Sequence, residues 1–125
     1  MGKDVEFVVS GVSSGKGTRW NYQTIAEAVE KLIRNVIREN IDEARKIVAS
    51  TSKYARAKLC IGREKLESVA KQGKTGELPS YDTQVYHIKE AIKQYLGLKT
   101  RREGEDIVIH LTPSDIQRYL NEVEE

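Results

Sequence analysis

The chain has 125 residues, of which 32% are charged and 6% aromatic, and a formal net charge of +2. That length suits one domain with a single modest core, and that charge excludes a polycation, so affinity for nucleic acid has to come from local clustering of basic side chains. The single cysteine excludes an internal disulfide and a cysteine-built zinc cage, His87 and His110 lack metal-ligand spacing, and no apolar run reaches signal or membrane length. The expectation is a cytoplasmic or intravirion protein with no cofactor and no membrane partner. Abundant Ile, Val, Lys, Arg and Glu with few Gln fits a thermophile.

Residues 3–10, KDVEFVVS, form a short β-prone run with Val5, Phe7 and Val9 on one face. GVSSGKGT follows at 11–18. A strand running into a glycine-rich loop is the setting of a phosphate-binding loop, in which backbone N–H groups and a lysine cradle the anion. Gly15-Lys16-Gly17-Thr18 is similar to the loop of adenylate-kinase-like enzymes. Against that use, Ser10 stands where the pattern needs its first glycine, and the next periodic segment begins only at Ile25. The rest of the chain also lacks the alternating strands and helices of a parallel sheet. The favoured reading of residues 1–23 is a short strand plus a flexible basic Gly/Ser arm. Its Lys16, Arg19, Trp20 and Tyr22 are suited to following a nucleic-acid backbone.

The strongest helix spans 24–50. Thr24 and Glu27 form a capping box, and Ile25, Ala28, Val29, Leu32, Ile33, Val36 and Ile37 recur in steps of three and four. Ile41, Ala44, Ile47 and Val48 continue the stripe, with Asn40 and Asp42 marking a place for a break. A helix of about 25 residues would be about 38 Å long, more than a domain of this size needs, so part of its apolar face is expected to pack on a second copy. Residues 51–62 are expected to form a short helix or a turn and a half, with Lys53, Arg56 and Lys58 solvated and Cys60 a small core residue. Arg63 to Gln72 is a short amphipathic helix with Leu66, Val69 and Ala70 inward, ended by Gly73. The connection from Lys74 to Pro79 is longer than a tight helix–helix turn.

From Ser80 the chain reads as a helix, a glycine stop and a hairpin. Tyr81, Val85, Ile88, Ile92 and the Tyr95/Leu96 pair define the buried stripe, Ser80 or Asp82 caps the start, and Gly97 suits the left-handed position after the last turn. That leaves Thr83, Gln84, Tyr86, His87, Lys89, Glu90, Lys93 and Gln94 outside. Residues 98–111 fold back through Gly104, with β-branched Ile107, Val108 and Ile109 in the second strand. Thr112-Pro113-Ser114-Asp115 then starts a helix with Ile116, Tyr119 or Leu120, and Val123 inward. Its acidic end, with Glu122 and Glu124, is expected to fray.

Helix, glycine, and a hairpin with Arg101-Arg102-Glu103-Gly104 at its tip and Leu111-Thr112 at its end resembles the second half of a winged helix-turn-helix domain. Tyr86-His87-Ile88-Lys89 resembles the interior of the recognition helix in archaeal and bacterial winged-helix repressors. The resemblance covers roughly the last half of the chain. It implies a mostly α fold with a small β-hairpin, a winged helix behind one long amphipathic N-terminal helix, with 24–125 as a single domain. It also implies a dimeric transcriptional regulator bound to double-stranded DNA. In that reading Thr83, Gln84 and His87 face the bases, Lys89 and Lys93 meet phosphates, and Arg101 and Arg102 touch the backbone or the minor groove. No Ser-His-Asp, Cys-His or paired-carboxylate arrangement follows from spacing, so no enzyme is expected. Two alternatives stay open. One is a nucleoprotein or coat-type subunit that packages nucleic acid, and the other is a nucleotide-binding enzyme using Gly15 to Thr18.

Overall fold

The apolar stripe that begins at Ile25 builds the centre of the fold. The structure, a computed structural model, describes residues 20–52 and 54–124. Helix α1 (Tyr22–Glu39) carries the stripe, with Ile25, Val29 and Ile33 fully enclosed and Ile37 nearly so. Side chains of this size contribute about 1.5–3 kcal/mol each when buried. The strand expected at 3–10, the Gly/Ser segment, Lys16 and Arg19 lie outside the described residues.

Helix α1 starts earlier than the capping-box pattern suggests. Asn21 is its N-cap, and the Asn21 side-chain oxygen accepts from the Thr24 N–H at 3.0 Å. The helix stops at Asn40, whose backbone leaves helical geometry and whose side-chain amide donates to the Val36 carbonyl at 2.8 Å. An asparagine side chain competes with the backbone for such carbonyls, which breaks the ladder here. The single long helix expected over 24–50 is therefore two helices, and α2 (Ile41–Ala49) packs on the C-terminal helix.

Residues 57–61 correct a second expectation. In place of a helix or turn, this segment is strand β1 (Ala57–Ile61), and it turns the expected hairpin into a three-stranded antiparallel sheet of order β1-β3-β2. The other strands are β2 (Lys99–Glu103) and β3 (Asp106–Leu111). Leu59 and Ile61 point inward while Lys58 and Cys60 point outward, the period of two that a half-buried strand requires. Cys60 is thus exposed and takes no part in the core. Strand β3 lies in the middle, which explains why Ile107, Val108 and Ile109 are all buried. The register sets Lys58 opposite His110 and His110 opposite Lys99.

Three further helices complete the fold: α3 (Arg63–Gly73), α4 (Tyr81–Ala91) and α5 (Pro113–Val123), the second running on as a π-helical turn, Ile92–Leu96. Helix α1 packs against all three. Its apolar stripe, which suggested a second copy, is covered by the chain's own helices, with Val36 the large apolar side chain of α1 left exposed. Helix α5 begins with the expected capping box between Thr112 and Asp115. Its acidic end is tied down by Arg34–Glu122 at 3.0 Å and by an Arg45–Glu124 pair. The buried Tyr119 hydroxyl donates to Glu30 at 2.9 Å, and burial pushes its pKa up to about 12. The protein is mostly helical with a small antiparallel sheet. No helix among the described residues is long and apolar enough to cross a membrane.

Helix α3 comes close to α1 at Gly73, its last residue. The Gly73 carbonyl accepts from the Asn21 N–H at 2.7 Å, and a Cβ added there would overlap the Ile25 side chain and lie 3.3 Å from the Asn21 carbonyl oxygen. Gly73→Ala is therefore expected to destabilise the fold by about 1–3 kcal/mol, even though alanine is the better helix former by about 1 kcal/mol. Urea unfolding checks this, and an unchanged or raised midpoint would contradict the close packing.

Candidate nucleic-acid interface

Helix α4 is positioned from both ends. The Ser80 side chain caps its start by accepting from the Thr83 N–H, and Gly97 ends it with φ +66, a left-handed conformation that glycine adopts without strain. Val85, Ile88, Ala91 and Ile92 are buried. On the opposite side Thr83, Tyr86, Lys93 and Gln94 are exposed, with Lys89 and Glu90 half-buried beside them. Of the Tyr95/Leu96 pair, Leu96 packs on the core and Tyr95 faces out.

Gln84 departs from the expected face. It is only 5% exposed, its side-chain amide donates to the Pro79 carbonyl at 2.9 Å, and its Oε1 has no hydrogen-bond partner. Its position aligns it with Ile88 and Ala91, and counting Ala91 as part of the stripe would have moved Gln84 inside. A side chain so placed is not available to a base edge.

His87 is likewise engaged within the chain. Its ring stacks on Trp20 with centroids 4.5 Å apart, and Tyr86 meets it edge-on at 5.2 Å. Burial lowers its pKa, with Glu90 pulling weakly the other way, and burial raises that of Tyr22. Both shifts favour the neutral forms. The 2.7 Å bond between the Tyr22 hydroxyl and His87 Nδ1 thus joins a phenol to a neutral imidazole, the ring tautomer setting which of the two donates. Lys74, 9% exposed, reaches the same cluster. Its ammonium sits 5.9 Å above Trp20 and donates to the Thr75 and Glu77 carbonyls at 2.9 and 2.6 Å, ordering the long α3–α4 connection. Trp20, Tyr22, His87 and Tyr95 line a cleft of about 730 Å³ between the start of α1 and α4.

The hairpin tip is a closed network. Gly104 turns the chain with φ +65. Arg102 donates to Asp82 and to the Gly104 carbonyl, both at 2.8 Å, and Arg101 pairs with Glu103. Arg63 reaches Glu105 at 2.6 Å and Glu67 at 3.3 Å. The guanidinium groups of Arg63 and Arg102 lie 4.4 and 5.5 Å from the Tyr81 ring centre, and the Tyr81 hydroxyl donates to the Glu105 carbonyl. Each of the two arginines expected to meet DNA thus already has a carboxylate partner.

The opposite end of the hairpin differs. Lys89, Lys93 and Lys99 line a hollow of about 570 Å³ between the end of α4 and β2, and Arg56, Lys99 and His110 line a neighbouring one of about 610 Å³. The first hollow also holds Glu90 and the second Asp115. Lys99 was not singled out from the sequence, and Arg56 and Lys58 were read only as solvated side chains. The alternation Ala57-Lys58-Leu59-Cys60-Ile61 was the signal that would have placed Lys58 on an outer sheet face. Among the described residues no group of three or more His, Cys, Asp or Glu side chains is arranged to hold a metal ion. Comparison of the chain with protein-family models, with curated proteins and with solved structures found no match.

The lowered His87 pKa carries a stability consequence. The unfolded chain takes up the proton near the ordinary value of 6.5, whereas the folded chain resists it to lower pH. Below that value the unfolded state binds more protons, so stability present above pH 6.5 is lost as pH falls towards the folded-state pKa. The urea midpoint of the wild type is expected to drop further than that of His87→Phe between about pH 7.5 and about pH 5.5. Equal drops in the two proteins would contradict the shielded imidazole.

Proposed function

We propose that the protein binds double-stranded DNA in the manner of a winged-helix transcriptional regulator, presenting the outer face of α4 to the major groove with the hairpin beside it. The observation that carries this reading is the two-sidedness of α4. Its inner face is closed in the core, while Thr83, Tyr86, Lys89 and Lys93 follow one another along the outer side. The hairpin follows directly after Gly97 and is braced by β1, so its position relative to α4 is fixed by a three-stranded sheet. Threonine and tyrosine hydroxyls suit polar groups in the groove, and lysines suit phosphates. Gln84 has no part in this surface, and His87 serves to hold α4 against Trp20 and Tyr22. The protein acts by binding, without catalysis, and the reading does not require a second copy of the chain.

Binding of labelled random and genomic duplexes across a salt series tests the reading. Affinity is expected to fall steeply with salt, and Lys89→Ala/Lys93→Ala to flatten the log–log slope by about two, since each phosphate contact contributes roughly 0.9. Absence of duplex binding at low salt, where backbone contacts are strongest, would overturn it.

A further inference from the structure

We infer that the DNA backbone runs along the open end of the hairpin, through the two hollows that meet at Lys99, and not across its arginine-bearing tip. The inference rests on the DNA-binding reading and specifies which surface performs it.

Arg101, Arg102 and Arg63 at the tip each have a carboxylate partner among the described residues. Arg56, Lys58, Lys89, Lys93 and Lys99 have no ion-pair partner among them. An arginine already bound to a carboxylate has to give up that partner, or carry it along, to meet a phosphate. An unpaired lysine gives up only water and counterions, whose release favours binding.

The free cations are also arranged as a path. Lys89 and Lys93 stand four apart on α4 and its π-helical turn, on one wall of the first hollow, and Lys99 stands on the other. Lys99 belongs to the second hollow too, which Arg56 also lines. Gly97 and Leu98 line both hollows, and the absent Gly97 side chain leaves the passage between them clear, with nothing within 4 Å of where its Cβ would be. The antiparallel register adds Lys58 on the outer face of β1, across His110 from Lys99. Strands lie about 4.8 Å apart, so the two lysine backbones are roughly 10 Å apart on either side of that histidine.

Two carboxylates face this path. The Asp115 oxygen is held by the Thr112 N–H and hydroxyl at 3.0 Å each, in the capping box of α5. Glu90 accepts from the Gln94 amide at 3.4 Å. Five cations against these two make the open end positive although the whole chain carries only +2. The fit is to a polyanion with evenly repeated charges. A duplex that places α4 in its groove brings its backbone past Lys93 and Lys99.

The test compares the salt dependence of duplex binding for the wild type, Lys58→Ala/Lys99→Ala and Arg101→Ala/Arg102→Ala, with melting temperatures to establish folding. The lysine variant is expected to melt as the wild type does, because both side chains are exposed, and to lose about two from the log–log salt slope. The arginine variant is expected to keep the wild-type slope. If the wild type binds with a salt dependence that the lysine variant reproduces, the path is wrong while the DNA-binding reading stands. A slope lost only in the arginine variant would return the contact to the tip. A wild type that binds no duplex would overturn the reading and the path together.

Discussion

Everything outside α1 is arranged by the need to cover one row of side chains. Ile25, Val29, Ile33 and Ile37 recur every four residues, and a helix with such a stripe is stable only when a second surface closes over it. Three helices do so, and at Gly73 the approach of α3 leaves no room for a Cβ beside Ile25. That contact fixes where α3 ends and hence where the connection to α4 begins. The buried Lys74 ammonium holds the start of that connection through two carbonyls, and the Trp20–His87 stack attaches the middle of α4 to the start of α1. The outward face of α4 is thus the residue of a packing problem solved on its inward face.

The polar groups divide the surface into two regimes. At the hairpin tip, arginines and carboxylates satisfy one another around the Tyr81 ring. Exposed pairs of this kind contribute only about 0–1 kcal/mol each, but a network sharing one aromatic ring fixes the tip against α4. At the open end, lysines project from α4, β2 and β1 with no such partners among the described residues. The same net charge spread evenly would produce a weak field. Segregating paired from unpaired charges concentrates a positive surface on one side of the sheet.

Much of the fold was legible because its signals are local. Thr112, Pro113 and Asp115 specify a helix start by hydrogen bonding alone, and Gly97 and Gly104 mark positions of positive φ that were read correctly from composition. The misreadings have a common cause in tertiary structure. Asn40 was noted as a place for a break, but only the return of its amide to Val36 decides that the helix ends there. Residues 57–61 alternate as a strand does, but the run becomes one only through pairing with β3, about fifty residues later in the chain. Cys60 faces out for the same reason. Gln84 and His87 carry polar labels that place them outside on any hydropathy scale. One is drawn in by Ala91 and Pro79 and the other by Trp20, partners whose proximity no pattern within α4 encodes. The outer face read from the sequence for α4 therefore holds for Thr83, Tyr86, Lys93 and Gln94 and fails for Gln84.

The proposed duplex contact runs along α4 and the open end of the hairpin. Backbone amide shifts of the labelled protein, followed as a short random duplex is added, test it most directly. Shifts are expected in three stretches that are distant in sequence, residues 86–94, 97–100 and 56–58, with the turn at Glu103 to Asp106 unmoved. Shifts centred on that turn, or a spectrum indifferent to the duplex, would contradict it.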